Sequence, residues 1–186
     1  MTYDELIATI KSYAIRDDYP FASFLLRAES HLRTIARHYL SEKTATLPVS
    51  DGTSTLPDDF IEMRQIAGTK RYKPVSSVSQ VIFEGEVGYF RTGNTLVFAG
   101  TPDATVELTY HAAFPGLTPT QTNWLFERFP QVYVSAILRE FHRWQINPDG
   151  VQIESASLQE ALSIVAEDDR RGRQIGTIIE TPSTWH

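Results

Sequence analysis

At Thr44 the apolar residues of this chain stop recurring at helical spacing and begin to alternate; after Ala112 the helical spacing returns. A helix buries one stripe every 3.6 residues and a strand buries one face every two. The double switch therefore points to an α+β chain whose strands form one block between two helical stretches. Those stretches must bury their stripes on each other. The expected fold is mainly α, an antiparallel four-helix bundle with an inserted β-rich subdomain and an extended C-terminal tail. Its boundaries are 1–43 and 113–171 for the bundle, 44–112 for the insertion and 172–186 for the tail.

The first helix is expected over 2–15. Thr2 and Glu5 form a capping box, and Leu6, Ile7, Ile10, Tyr13 and Ala14 follow at helical spacing. Arg16-Asp17-Asp18 ends it, and Pro20 suits the first turn of a second helix over 20–41. Phe21, Phe24, Leu25, Ala28, Leu32, Ile35, Ala36 and Tyr39 make its apolar stripe. The opposite face carries Arg27, His31, Arg33, Arg37 and His38, which reads as a solvated face.

In the middle block, Thr46–Val49 and Thr53–Leu56 flank Asp51-Gly52, a turn pair that favours a hairpin. Ile61 to Ala67 is expected to pair with Lys70 to Lys73 across Gly68, followed by a short helical patch over 78–83. Gly88–Arg91 and Thr95–Phe98 bracket Gly93-Asn94, a second hairpin. Val106, Leu108 and Tyr110 alternate with Glu107 and Thr109, the pattern of a strand with one buried face.

Helix resumes with one or two turns at Asn123–Phe129, stopped by Pro130. A helix over 130–146 follows, with Tyr133, Ala136, Ile137, Phe141 and Trp144 on its inward side. Asn147-Pro148-Asp149-Gly150 breaks it, and a last helix over 151–170 turns Leu158, Ala161, Leu162 and Val165 inward. Gly172 and Gly176 loosen what comes next.

Composition excludes several kinds of chemistry. There is no cysteine, hence no disulfide, thiolate metal site or Cys nucleophile. No apolar run reaches the roughly 20 residues of a membrane helix. The start, Met1-Thr2-Tyr3-Asp4-Glu5, lacks the pattern of a signal peptide, so the expectation is a protein made in the cytoplasm. The net charge of −6 argues against gripping nucleic acid through its phosphates, and no specific DNA affinity is expected. Phosphate-loop, dinucleotide, zinc-protease and serine-hydrolase motifs are all missing. His31 and His38 stand seven apart on one expected helix and read as surface imidazoles rather than a metal pair, and the acidic runs 17–18, 58–59 and 167–169 suit helix ends and turns. No catalytic, cofactor or metal residues are assigned.

The most specific pattern is an ordered set of short motifs. Tyr110-His111-Ala112-Ala113-Phe114-Pro115-Gly116-Leu117 is followed by Asn123-Trp124-Leu125, then Phe129-Pro130, then Tyr133 and Leu138. Upstream stands Leu56-Pro57-Asp58-Asp59-Phe60-Ile61-Glu62-Met63-Arg64. Over roughly residues 1–170 this resembles the head-to-tail adaptor (neck or connector) proteins of tailed bacteriophages. It departs from them at His111-Ala112-Ala113, where a second aromatic and a polar or basic residue are expected. By residue chemistry alone, Tyr110, Trp124 and Tyr133 are core or inter-subunit aromatics.

The resemblance implies a non-enzymatic virion protein of the neck, below the portal. It implies as partners the portal protein, a tail or nozzle protein, and neighbouring subunits in a ring of about twelve closed by heterologous contacts. DNA would pass through the channel without specific binding, and no membrane is involved. Tyr110, Pro115, Leu117, Asn123, Trp124, Pro130 and Tyr133 are the family-like structural motif. Ile175, Ile178, Ile179 and Trp185 give the tail more apolar surface than a solvated terminus needs. They are the expected anchors on the portal or a neighbouring subunit, a reading favoured because similar adaptors reach the portal through their C-terminal segments. Alternatives are another small neck protein (head closure or tail terminator), a small enzyme with an unfamiliar site, or a free-standing bacterial binding module.

Overall fold

A computed structural model describes residues 1–14, 18–77 and 85–174. The helices are α1 (Tyr3–Tyr13), α2 (Phe21–Ile35), α3 (Trp124–Arg128), α4 (Pro130–Trp144) and α5 (Pro148–Gln174). The strands are β1 (Glu42–Pro48), β2 (Thr53–Thr55), β3 (Phe60–Ala67), β4 (Arg71–Pro74), β5 (Glu86–Thr92), β6 (Thr95–Ala99) and β7 (Thr105–Ala112). They form two compact units. One takes the described residues of Met1–Leu40 and of the chain from Phe114 to Gln174, and the other those of Ser41–Ala113.

The expectation of a mainly α four-helix bundle is overturned. Of the described residues 46% are helical and 27% lie in strands, with five helices and sheets of three and four strands. The helical unit is organised around α4, against which α1, α2, α3 and α5 all pack. Every residue of α4 from Val132 to Phe141 is buried, as a helix covered on all sides must be. Leu6 and Ile10 of α1, Phe24 and Leu32 of α2, Leu125 of α3 and Leu158 and Val165 of α5 complete that core.

The helix ends differ from the periodic reading for identifiable reasons. Thr2 and Glu5 form the capping box that starts α1. By contrast α2 stops at Ile35, although Ala36 beyond it is still buried. Apolar burial continues where helix does not. His38, read as part of a solvated basic face, is 0% exposed. Trp144 sits in the last turn of α4 and is 40% exposed, although its ring still meets Phe24 and Phe141. α5 starts at Pro148 and runs through Gly172. A Cβ on Gly172 would strike the Tyr39 ring, so this glycine permits a close approach rather than loosening the chain.

Between α4 and α5, Asn147 N donates to His142 O at 3.0 Å and Ile146 N to Arg143 O at 3.1 Å. This is the Schellman pairing, and it puts Ile146 at φ +56, a position that favours glycine. The side chain is 89% exposed and recovers nothing inside the unit. Replacing Ile146 by glycine should therefore stabilise the protein by about 1 kcal/mol. A lower melting temperature for that variant would refute the strain argument.

In the other unit the sheet orders are β1-β7-β3 and β2-β6-β5-β4. Leu47, Leu56, Val87, Leu96, Phe98, Val106, Leu108 and Tyr110 share one core. The alternation of β7 is as the sequence implies, with Val106, Leu108 and Tyr110 buried and Glu107 exposed. The Gly93-Asn94 hairpin also forms, pairing Thr92 with Thr95 and holding Gly93 at φ +59.

Two other pairings are corrected. Asp51 and Gly52 do make a tight turn, both at positive φ, with Ser50 and Thr53 exchanging bonds of 2.9 Å. The flanking strands then part, β1 pairing with β7 and β2 with β6. Likewise β3 pairs with β7 rather than β4, and β4 runs parallel to β5. Asp103 explains the second correction. It accepts from Thr69 N, Thr69 Oγ1, Lys70 N and the Tyr72 hydroxyl, holding the segment after Gly68 as a loop instead of a hairpin turn. The helical patch expected over 78–83 and the residues after Gln174 lie outside the described residues.

Candidate functional site

The Pro115–Tyr133 motif converges on one buried polar network. Asn123 precedes α3 in extended conformation, and its Oδ1 accepts from Phe126 N at 3.0 Å, which caps that helix. Its Nδ2 donates to Pro115 O at 2.9 Å and to the Tyr133 hydroxyl at 2.8 Å. Across the network, Glu29 of α2 accepts from Leu117 N at 2.6 Å and is paired with Arg33. Arg33 in turn donates from Nε to Phe114 O at 3.2 Å. Burial raises the Glu29 carboxyl above its ordinary pKa, against the Leu117 N–H and Arg33, which pull it down. Burial also raises the Tyr133 hydroxyl. The connector 114–117 is thus fastened to α2 and α4, and Gly116 stands where a Cβ would crowd the Glu29 carboxylate at 3.0 Å.

The two halves of the ordered pattern that meet inside the β unit are Tyr110 and Asp59. The Tyr110 hydroxyl donates to Asp59 Oδ1 at 2.8 Å, Lys43 Nζ donates to Oδ2 at 2.6 Å, and Ala113 N donates to Asp59 O at 2.7 Å. Phe60 stacks on the Tyr110 ring. Desolvation, then Asp59, pushes the Tyr110 hydroxyl up to about 12, so it stays a donor. Spacing along the chain carries no sign that these segments, about 50 residues apart, touch.

A third cluster escapes sequence reasoning altogether because its members are 130 residues apart. His38 Nε2 lies 3.0 Å from Asp168 Oδ2, and Leu40 N donates to His38 Nδ1 at 3.2 Å. That backbone donor fixes the tautomer with the proton on Nε2. Arg128 holds the other oxygen of Asp168 at 2.8 Å, Tyr39 N donates to Asp169, and Trp124 stacks on the His38 ring. The Trp124 indole N–H is buried with no hydrogen-bond partner among the described residues. Burial holds the His38 pKa below 6.5, outweighing the bond to Asp168.

The folded chain consequently refuses a proton that the unfolded chain accepts, and stability should fall as the pH drops from about 6.5. His38→Gln, which cannot titrate, should flatten that slope in denaturant melts. Glu29 acts in the opposite sense and His31 in the same sense, but both are common to the two proteins. An unchanged slope would show that His38 is not the titrating group.

Chemically these clusters hold shape. Both nitrogens of His38 are occupied, leaving no atom to move a proton to or from a ligand. Among the described residues no three His, Asp or Glu side chains stand where they would hold a metal ion. No described helix is long and apolar enough to cross a membrane. The structure brings together Pro115, Leu117, Asn123 and Tyr133 in one network. Tyr110 sits apart in the β unit, and Pro130 starts α4. Ile175, Ile178, Ile179 and Trp185 lie outside the described residues.

Comparison with curated proteins gives no match. The family model for the SU10 adaptor protein matches residues 1–178, which takes in both units and every element described above. The chain belongs to the SU10 adaptor family of bacteriophage adaptor proteins.

Proposed function

We propose that this chain is a non-enzymatic structural protein of the virion neck, a head-to-tail adaptor whose copies form a ring between portal and tail. The family match over 1–178 carries the reading. The internal use of Asn123, Tyr133, His38 and Asp168 supports it, because side chains of the kinds that serve chemistry are tied into the frame. About twelve copies joined by heterologous contacts would close such a ring. A protein of net charge −6 lets DNA pass without the retention that a basic lumen would cause.

In this reading Ile175, Ile178, Ile179 and Trp185 dock on the portal or the adjacent subunit, adding a strand with apolar anchors. The full chain mixed with portal rings should appear as a further ring by electron microscopy and native mass spectrometry. Truncation after Gln174 should leave the melting temperature nearly unchanged and abolish attachment. A full-length chain that stays monomeric and ignores the portal sinks the adaptor reading. A truncated chain that attaches at full occupancy sinks only the docking role.

A further inference from the structure

We propose that the groove between α2, α4 and α5 beside Arg139 receives the carboxylate of an Asp or Glu side chain on a second copy of this chain. The inference rests on the reading of the protein as a ring subunit. The groove is open, about 470 Å³, and lined by His31, Arg139, Ser155, Leu158, Gln159 and Leu162 among others. Arg139 is only 8% exposed, yet its Nε is buried with no hydrogen-bond partner among the described residues. Its Nη2 reaches Glu140 Oε1 at 3.4 Å, while Arg143 Nη1 holds that same oxygen at 2.7 Å.

One carboxylate therefore serves two guanidinium groups, and the cluster keeps an excess positive charge. The effect is felt at His31, where burial and then Arg139 and Arg143 disfavour a further proton. A buried guanidinium N–H without an acceptor is costly, and a guanidinium matches a carboxylate through two parallel bonds. Leu158 and Leu162 offer an apolar wall for the methylenes of an acidic side chain.

The surrounding charge selects the occupant. Residues 148–174 carry six acids against three bases, which repels a polyanion such as DNA, so the attraction is local to Arg139 and Arg143. The Ser41–Ala113 unit of another copy carries nine acids against six bases, with Asp51 and Glu107 among its exposed acids. Complementary patches at different places on one surface make heterologous contacts.

The test compares the full-length wild type with Arg139→Gln and Arg139→Lys, using native mass spectrometry alone and with portal rings. Circular dichroism checks folding. Arg139→Gln should cut ring occupancy at least about tenfold, with Arg139→Lys in between. The Arg139→Lys variant also admits carbodiimide coupling. In a mixture of light and isotope-labelled chains, the amine it introduces should be joined to an acidic peptide of the other copy. That readout holds even if Arg139→Gln fails to fold.

Rings of undiminished occupancy with Arg139→Gln overturn the inference and leave the adaptor reading intact. So does coupling of the introduced amine only to a portal peptide or to its own chain. Inorganic phosphate that binds through Arg139 without affecting assembly assigns the groove to a free anion and likewise overturns it. A wild-type chain that forms no ring even with the portal overturns both readings.

Discussion

Replacing Leu32 by alanine should lower the stability of this protein by about 2–5 kcal/mol in urea or thermal unfolding. Leu32 is 0% exposed and belongs to the cluster that α2 contributes against α4, so its loss leaves a cavity that the surrounding helices cannot fill. The same truncation at Trp144 should cost clearly less, although more atoms are removed, because that indole already faces water over 40% of its surface. The reversed order, with Trp144→Ala the more damaging, would contradict the account of α4 as a helix whose covered length ends near Phe141.

Asn123→Ala should cost about 2–4 kcal/mol, more than an ordinary helix cap, because the cap alone is worth about 1 kcal/mol and stranded buried partners add to it. The substitution takes the Nδ2 donor from Pro115 O and from the Tyr133 hydroxyl, which keeps only its bond to Glu29. Asn123→Asp separates the contributions. It keeps an acceptor for Phe126 N but offers no donor, and it places a second carboxylate in a network that already contains Glu29. Asn123→Asp should therefore be at least as destabilising as Asn123→Ala in denaturant melts. A mild Asn123→Asp would mean that the cap, and not the connector network, is what the residue supplies.

What is legible in the sequence divides along the reach of the interaction. Thr2 with Glu5, Gly93-Asn94 and the alternation of β7 are read within a few residues, and each forms as expected. Strand partners are not. β3 meets β7, some 45 residues on, and its local neighbour β4 is drawn to β5, because Asp103 rather than a turn dipeptide governs the loop between them. Periodicity also overshoots at helix ends. It carries α2 through Tyr39 because Ala36 remains buried after the helix has stopped, and it turns Trp144 inward where the neighbouring helices run out.

The ordered motif set is visible as a pattern, but its physical content is not. Asn123, Tyr133 and Leu117 meet around Glu29, a residue the helical stripe gives no reason to single out. His38 is the sharper case. A histidine among arginines on a helix reads as solvated, and only Asp168, 130 residues later, makes its burial possible. The mainly α expectation fails for a related reason. Apolar spacing locates strands without saying how many partners they find, and here they fill two sheets.

The antiparallel pairing of β1 with β7 bears on the order of folding. Glu42 stands opposite His111, so the chain that leaves the helices at Leu40 returns to them at Phe114 from a point one strand spacing away, about 5 Å. If the β unit forms first, the helices on either side of it are joined as though by a tight connection. If it does not, bringing Leu40 and Phe114 together closes a loop of about 70 residues, at an entropic cost of about 4 kcal/mol. Kinetic intermediates with strands formed and α4 still unprotected in hydrogen exchange are the expected sign of that order. Substitutions in β7 should then slow the docking of the helices.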